Sequence, residues 1–428
     1  MIARDIILFL LLNILPFIYL DWRHLHKKST WGKRLLCWLP CVAMTAYTVY
    51  LAIQPNFIPD NDRIFILYGY LFLIGFIIAP IWIYCLCSIG GRGCSSLVRR
   101  FKGKNRAPRN YGNILGLLLI PVIWFILIWG SFVGFNKLEV NHTTYESKDI
   151  PAAFDGYRIV LFSDAHVGSY MKHNEWVLQR AIDSINAQQP DMIIFTGDLQ
   201  NIQPKDIYPH MDVLSSLKAG DGVYSVLGNH DYAEYMDYDE AMKVANTRET
   251  ISLERQLGWN LLLNEHCKIE HDNTHIVIAG MENDGDGKRF PQKGDLKKTL
   301  DGVEDTDFIL MLEHDPSAWR RKIIPDGRAQ LTLSGHTHKM QFSLFGWCPM
   351  SLSGKEFNGW YREGRQSLFV TAGVGGLIPF RFGATGEIVV LTLKKTKDWQ
   401  PETYGRFLRE VHDDGHSHEV GLHRFSQG

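Results

Sequence analysis

The chain has 428 residues, enough for two or three domains, and its charge is nearly balanced, with 45 lysines and arginines against 46 aspartates and glutamates. This balance gives no indication of a nucleic-acid-binding protein, which would carry an excess of positive charge. The charges are segregated, however. The first third is apolar with basic loops, and the remainder is polar with many acidic residues and histidines.

Four apolar stretches in the first third predict a transmembrane region over residues 1–135. The last three are long enough to cross the hydrocarbon core of a bilayer, which takes about 20 residues. The first is shorter and contains Pro16. It is either the apolar part of a signal peptide or a short span, and we favour a span because the positive charges follow it. We predict four helices at about residues 6–20, 35–53, 64–87 and 114–135.

The loops between these stretches predict the orientation. Five lysines and arginines lie in the first loop and seven in the third, whereas the second has only Arg63. Positive loops stay in the cytoplasm. The last span then leaves on the opposite side, so everything after Phe135 is predicted to be extracytoplasmic. We therefore expect an integral, multi-pass protein of the cell inner membrane with the lipid bilayer as a partner.

Beyond a predicted polar linker at residues 136–156, the pattern is that of an α/β domain. Strands and helices alternate first, with strands at 157–162, 192–195 and 222–227 and helices at 176–187, 207–217 and 251–257. Strands then predominate, near residues 261–269, 275–279, 308–312, 330–333, 367–371 and 387–393. This order predicts two sheets with helices outside, over residues 157–393. A polar tail, 394–428, follows.

Five polar motifs each follow an apolar run of the predicted α/β domain. Open α/β sheets bind ligands at the carboxyl ends of their strands, so the side chains of these motifs are expected to converge. Each motif alone is common in loops, but five in this order make coincidence implausible. The motifs are Asp164-Ala165-His166, Gly197-Asp198, Gly228-Asn229-His230-Asp231, Glu313-His314-Asp315 and Gly335-His336-Thr337-His338.

The donor atoms in these motifs predict metal ions. Imidazoles mixed with carboxylates suit zinc, manganese or iron, whereas magnesium or calcium would be held almost wholly by oxygen. Seven donors are too many for one ion and suit two divalent or trivalent ions bridged by Asp198. Two such ions form the clamp used in displacement at phosphorus. The predicted ligands are Asp164, His166, Asp198, Asn229, His314, His336 and His338.

The motif set resembles that of the calcineurin-like metallophosphoesterase superfamily, whose signature runs D-x-H, G-D, G-N-H-[DE], H, G-H-x-H. The resemblance covers residues 157–393 and implies a four-layer α/β/β/α sandwich. It also implies that His230 contacts the scissile phosphate and protonates the leaving oxygen, and that Asp231 orients His230. By the same resemblance one metal is held by Asp164, His166 and His338, the other by Asn229, His314 and His336, with Asp198 between them.

Within that superfamily the chain is most similar to a membrane-associated bacterial branch, whose last motif often reads S-G-H-T-H-G-G-Q. Here Lys339 and Met340 replace the glycine pair. Lys339 is either a contact for a second phosphate or an ordinary surface lysine. Arg381 follows a glycine cluster similar to a late segment of the branch, and we predict it as a substrate contact.

These observations predict a membrane-anchored, dinuclear metal-dependent phosphoesterase. It would hydrolyse a phosphate ester or pyrophosphate by attack of a metal-bridging hydroxide, and the anchor favours a lipid-linked or membrane-proximal substrate. Two alternatives stay open. One is a lipid-precursor pyrophosphatase that faces the cytoplasm, against which the basic loops argue. The other is a catalytically inert membrane sensor or scaffold, against which the intact ligand set argues.

Overall fold

The computed structural model describes residues 5–26, 28–54, 61–102, 109–170, 174–235, 239–288, 290–396 and 408–410. The chain divides into two compact units, Met1–Phe132 and Val133–Gly428.

The first unit is built from long apolar helices. Four helices in the described part of the chain are long and apolar enough to cross a membrane, namely Ile6–Leu25, Trp31–Ala52, Ile64–Val98 and Tyr111–Gly134. The prediction of four such helices is confirmed, although the third extends beyond its predicted end at residue 87. Their α-helical segments are α1 (Ile6–Leu20), α2 (Trp31–Ala52), α3 (Asn61–Leu73), α4 (Ala79–Lys102) and α5 (Tyr111–Trp129).

Buried polar side chains in this unit pair across helices. Asn13 Nδ2 donates to Thr48 Oγ1 at 2.8 Å, and the hydroxyl groups of Thr48 and Tyr70 are 2.7 Å apart. A polar group left unpaired in an apolar environment is costly, so these contacts favour one arrangement of α1, α2 and α3.

The second unit is an α/β domain. Its described helices are α6 (Glu175–Ala187), α7 (Met211–Leu214), α8 (Glu240–Gln256), α9 (Leu296–Thr299) and α10 (Ile324–Asp326). Its described strands are β1 (Leu138–Ser147), β2 (Arg158–Phe162), β3 (Met192–Phe195), β4 (Val223–Ser225), β5 (Asn260–Leu261), β6 (Glu265–His271), β7 (Thr274–Gly280), β8 (Ile309–Leu312), β9 (Leu331–Ser334), β10 (Gly359–Glu363), β11 (Gln366–Val370), β12 (Gly386–Lys395) and β13 (Leu408–Glu410).

The strands form two sheets, and alternation along them produces the layers. The sheet orders are β13-β1-β12-β2-β3-β4-β5 and β10-β11-β9-β8-β7-β6. Along β2, Ile159 and Leu161 pack with residues of the second sheet such as Leu310, whereas Val160 and Phe162 pack in the cluster that contains the buried face of α6. Successive strand residues face opposite sides of a sheet, so one strand serves two cores.

The second sheet likewise has an outer core. Ile309 and Met311 of β8 pack with Trp319 and Ile323, which precede α10. Helices therefore cover the outer face of each sheet, and the two inner faces meet. The predicted four-layer α/β/β/α sandwich is confirmed.

The prediction of a polar linker at residues 136–156 is wrong where it covers β1. This strand pairs in parallel with β12 from Leu138–Gly386 to Ser147–Lys395. Two of its polar side chains are buried and hydrogen-bonded. Asn141 Nδ2 donates to Glu387 Oε1 at 2.6 Å, and Thr143 Oγ1 accepts from Trp360 Nε1 at 2.9 Å. Hydropathy alone does not distinguish such a strand from a linker.

Other elements differ from their predictions in smaller ways. The strand β10 was not predicted. The helix predicted near residues 207–217 is the single turn α7, and α8 begins at Glu240 rather than at residue 251. In the predicted polar tail, β13 pairs antiparallel with β1, and the other residues after 396 lie outside the described residues.

Parallel pairing places the polar motifs at one edge. β2, β3 and β4 are parallel to one another in the first sheet, as are β8 and β9 in the second. The motifs that begin at Asp164, Gly197, Gly228, Glu313 and Gly335 each follow one of these strands.

Candidate metal centre

The loops that carry the predicted ligands have strained backbones. The φ angles are 55° at Asp164, 43° at His166, 62° at Asp198, 74° at His336 and 49° at His338. A side chain in this left-handed region costs roughly 1–2 kcal/mol per residue. Strain of this kind tends to concentrate at functional sites, where the surrounding structure imposes it.

Two glycines permit the close approach of these loops. A Cβ atom on Gly228 would lie 2.2 Å from Asp198 Oδ1. One on Gly335 would lie 2.0 Å from Ser163 Oγ and 2.4 Å from Asp164 Oδ2. Any side chain at either position would therefore displace a carboxylate of the site.

One group of donor atoms comes from Asp164, His166, Asp198 and His338. Its donor atoms all lie within 4.8 Å of one another. The Nε2 atoms of His166 and His338 are 3.2 Å apart. His166 Nε2 lies 3.5 Å from Asp198 Oδ2, and His338 Nε2 lies 3.4 Å from Asp164 Oδ1. We call this group cluster A.

A second group contains Asp198, His314 and His336, whose donor atoms also lie within 4.8 Å of one another. His314 Nε2 is at its centre, 3.2 Å from Asp198 Oδ2, 3.1 Å from Asn229 Oδ1 and 3.3 Å from His336 Nδ1. These four residues form cluster B. Asp198 belongs to both clusters, and the structure thus brings all seven predicted ligands together.

The electrostatics of the two clusters favour a positive charge between them. Burial raises the pKa of Asp164 to about 7. Burial would also raise the pKa of Asp198, but the imidazoles of His314 and His230 outweigh it and hold that pKa well below its usual value. Burial opposes a charge on His314, yet the same two carboxylates raise its pKa to about 10.

The donor set fits metal ions. His314 Nδ1–H donates a hydrogen bond to Thr196 O at 2.7 Å, which directs Nε2 toward cluster B as the candidate ligand atom. A second hydrogen bond of this kind commonly fixes a metal-binding imidazole. In cluster A, a cation would be stabilised by the buried carboxylates and by the facing Nε2 atoms of His166 and His338. A metal ion would supply that charge in either cluster.

His230 lies beside both clusters and is half-buried. Its backbone N–H donates to Asp198 Oδ1 at 2.8 Å, and its ring lies edge-on to His166 with 4.9 Å between centroids. Its Nδ1 atom is hydrogen-bonded to the backbone carbonyl of Asn201. A carbonyl can only accept, so Nδ1 carries a proton, and Nε2 is the atom left for a substrate.

Comparison with known proteins assigns the family. A model of the calcineurin-like phosphoesterases matches residues 157–340. The uncharacterized metallophosphoesterase YkuE of Bacillus subtilis is 33% identical over 269 residues, which are 61% of this chain and 87% of that protein. The chain is a calcineurin-like metallophosphoesterase. It therefore belongs among the hydrolases of phosphate esters.

Two further relatives are similar over most of the metallophosphoesterase. A transmembrane protein with a metallophosphoesterase domain from Danio rerio is 27% identical over 338 residues, 76% of this chain and 74% of that protein. The UDP-2,3-diacylglucosamine pyrophosphatase LpxG of Chlamydia muridarum is 25% identical over 324 residues, 65% of this chain and 95% of that protein. Together with the four apolar helices, the likeness to the transmembrane protein from Danio rerio indicates that the metallophosphoesterase is a membrane protein.

The predicted role of Asp231 is not the one that the structure shows. Its carboxylate accepts from four backbone N–H groups, those of Asp198 and Gly228 at 2.8 Å, Leu199 at 3.0 Å and Gln200 at 3.2 Å. The His230 ring is oriented by Asn201 instead. Asp231 is therefore a positioning residue that joins the loops after β3 and β4 of the metallophosphoesterase.

The prediction that Arg381 contacts substrate is also wrong. Its side chain is fully buried, and its guanidinium donates to backbone carbonyls that include those of Gly375, Ala384 and Ala372. These bonds fold the glycine-rich segment around the arginine. That segment in turn lies against the metal centre, because a Cβ on Gly373 would lie 2.6 Å from Asp164 Cβ.

Lys339 follows the last ligand motif with φ 51°, and Met340 follows with φ 53°. Glycine adopts this conformation without a steric cost, which explains why a glycine pair suits these positions. Lys339 is half-buried. Its contact with a second phosphate stays a prediction.

Two residues of the site were missed by the sequence analysis. Asn201 contributes only its backbone carbonyl, which no side-chain pattern reveals. Tyr235 accepts from Asn229 Nδ2 at 2.7 Å, and its ring centroid is 4.6 Å from that of His230. The contact directs Asn229 Oδ1 toward His314. The nearness of Tyr235 to the Gly228–Asp231 motif in sequence was its only signal.

Proposed function

We propose that this protein is a membrane-anchored, dinuclear metal-dependent phosphoesterase that cleaves a phosphate ester or pyrophosphate on a lipid-linked or membrane-proximal substrate. The observation that carries the proposal is the pair of donor clusters that share Asp198. Each offers the donors for one ion, and a shared carboxylate is the ligand that a two-metal site requires.

The proposed ligands divide between the clusters. Asp164, His166 and His338 would hold one ion, with the shared Asp198 as a bridge to the second. Asn229, His314 and His336 would complete the second site. Manganese, zinc and iron suit these donors. Bound metal ions of this kind supply Lewis-acid stabilisation of a phosphate and lower the pKa of water.

His230 is proposed as the general acid. Its ring is held by the Asn201 carbonyl at Nδ1, packed against Tyr235 and flanked by His166. A proton on Nε2 can then pass to the oxygen of the departing group. The protein thereby avoids expelling an unprotonated alkoxide or phosphate oxygen, a role worth about 100- to 10,000-fold in rate.

The membrane helices support a substrate at the bilayer surface. The relative from Chlamydia muridarum bears the name of a pyrophosphatase that acts on a diacylated sugar nucleotide. We infer that the substrate here has a phosphate or pyrophosphate attached to a lipid. Because β1 belongs to the first sheet, we also propose that the catalytic domain begins with β1, not at residue 157.

The basic first and third loops support an extracytoplasmic catalytic domain in a multi-pass inner-membrane protein. The alternative is a pyrophosphatase that faces the cytoplasm and acts on a lipid precursor. Reporter enzymes fused after Gly428 separate the two. We expect activity from alkaline phosphatase, which folds outside the cytoplasm. Fluorescence from a cytoplasmic reporter at the same position would support the alternative.

Metal content and activity test the proposal together. We expect the full-length protein in nanodiscs to hold about two metal ions per chain, to lose phosphodiester hydrolysis on chelation and to regain it with manganese, zinc or iron. The panel should include a soluble nitrophenyl diester, a nucleotide and lipid phosphates. Hydrolysis that survives complete removal of metal would contradict the two-metal proposal, and equal turnover of nucleotides with none of lipids would contradict the substrate class.

The His230→Gln variant tests the general acid. We expect it to lose about 100- to 1,000-fold in kcat on an alkyl phosphate ester, whose leaving oxygen needs a proton. The loss on a nitrophenyl ester should be small, because nitrophenolate leaves without one. Metal content should match that of the wild type. Equal losses on both substrates would argue that His230 binds the phosphate and transfers no proton.

A further inference from the structure

A tight hairpin follows the last ligand motif. Leu344 N–H donates to Trp347 O at 2.8 Å, and Trp347 N–H donates to Leu344 O at 3.0 Å. Phe345 and Gly346 form the tip, with φ angles of 50° and 85°. Two-residue turns with positive φ at both positions favour asparagine or glycine at the first of them. Phe345 therefore adopts a backbone conformation that is unfavourable for a residue with a side chain.

The hairpin and the turn after it expose large apolar side chains. Phe345 is 99% exposed, Leu352 is 79% exposed and Trp347 is 48% exposed. Single exposed apolar residues are normal on a soluble domain, but a group within one short segment marks an interaction surface. We call this group the apolar crest and define it as Met340, Leu344, Phe345, Trp347 and Leu352.

The segment that carries the crest has no charge. From Met340 to Gly354 the sequence contains no aspartate, glutamate, lysine or arginine, although these residues make up 21% of the chain. Charges on an exposed segment oppose its transfer into an apolar environment. Uncharged aromatic residues such as phenylalanine and tryptophan instead favour the interfacial region of a bilayer.

The base of the hairpin is fixed to the glycine-rich segment near the metal centre. Ser343 N–H donates to Phe382 O at 2.7 Å, and the rings of Phe342 and Phe382 stack at 5.9 Å. Gln341 Nε2 donates to the carbonyls of Ile378 and Phe380. The crest is therefore a fixed projection that begins two residues after the ligand His338.

We propose that the apolar crest inserts into the lipid bilayer and holds the metal centre at the level of the lipid phosphates. A bilayer fits this surface because the chain carries four membrane-spanning helices, and the two units are consecutive in sequence. A membrane that holds the first unit keeps the second at its surface. The lipid-linked substrate class rests on the proposed function, whereas insertion of the crest does not.

Photo-crosslinking of the full-length protein in phosphatidylglycerol–phosphatidylcholine nanodiscs tests insertion. Phe345 is replaced by p-benzoylphenylalanine, which preserves an aromatic side chain, and Met242 on α8 receives the same replacement as a control. Met242 is 48% exposed, so both positions accept the label. We expect lipid adducts at position 345 at about tenfold the yield at position 242, since only the crest enters the acyl region.

The outcomes separate insertion from the phosphoesterase proposal. Crosslinks from position 345 to protein would assign the crest to a protein interface. Equal yields of lipid adducts at positions 345 and 242 would mean that lipids reach both positions only by random collision. Either result would overturn insertion of the crest. Hydrolysis of bis-nitrophenyl phosphate is measured on the same samples. Its absence in the wild type would count against the proposed function and leave a lipid adduct at position 345 intact.

A second variant tests whether the Phe345 ring serves the fold instead. We expect Phe345→Gly to raise the thermal midpoint in detergent by about 2 °C, because glycine removes the strain at the tip. A lower midpoint would mean that the ring stabilises the protein itself, and the exposed tip would then need no membrane to explain it.

Discussion

Replacing Asp198 with asparagine should lower phosphodiester hydrolysis by about 1,000-fold or more, because one carboxylate serves both donor clusters. Asp198 Oδ2 lies 3.2 Å from His314 Nε2 and 3.5 Å from His166 Nε2. An amide brings no charge to a bridging position. We therefore expect the variant to bind less than one metal ion per chain, with both sites weakened together.

The Asp164→Asn variant is the matched control for this result. Asp164 belongs to cluster A alone. Its replacement should weaken the binding of one metal ion and leave the site of the second near full occupancy. Metal analysis of the purified variants and hydrolysis of a soluble diester distinguish the two patterns. An Asp198→Asn protein that keeps both ions and its rate would refute the shared-ligand arrangement, and unchanged function in the cell would revive an inert membrane scaffold.

The position of the site was predictable because its signals are local. Each ligand motif directly follows a short apolar run, and the run Met192–Phe195 coincides with β3. Parallel strands bring such loops to one edge, so convergence followed from the strand pattern. Predicting the seven candidate ligands required no knowledge of distant contacts.

What the sequence did not reveal depends on distant partners. The buried polar residues Asn141 and Thr143 of β1 form hydrogen bonds with Glu387 and Trp360, which lie more than 200 positions away. We predicted that Arg381 contacts substrate because it is a charged residue beside a glycine cluster. Its guanidinium instead donates to backbone carbonyls that come together only when the segment folds. A polar side chain can be buried when it has hydrogen-bond partners, and hydropathy does not show which residues those partners are.

The role of Asp231 was misjudged for a related reason. Adjacency to His230 suggested a pair of side chains, but the two belong to one 3-10 turn and point to different partners. The carboxylate crosses to the loop after β3. A short helical turn separates neighbouring side chains, so sequence adjacency is weak grounds for contact.

The Asp231→Asn variant should lose metal, activity and stability together. An asparagine amide would place an N–H₂ group against backbone donors that now face the carboxylate, two at Oδ2 and two at Oδ1. Hydrogen bonds to a charged acceptor contribute about 1.5–3 kcal/mol each, so losing two of them lowers the free energy of unfolding by about 3–6 kcal/mol. Thermal unfolding, metal analysis and diester hydrolysis measure the three effects.

Two comparisons make this result decisive. Asp239, at the exposed start of α8, also has a carboxylate that accepts from a backbone N–H, that of Met242 at 2.8 Å. The Asp239→Asn variant should change stability little, because asparagine caps a helix equally well. His230→Gln should lower activity alone. If Asp231 served only to orient His230, its asparagine variant would match His230→Gln, with normal stability and full metal content. A joint loss instead identifies Asp231 as the residue that joins the two ligand loops.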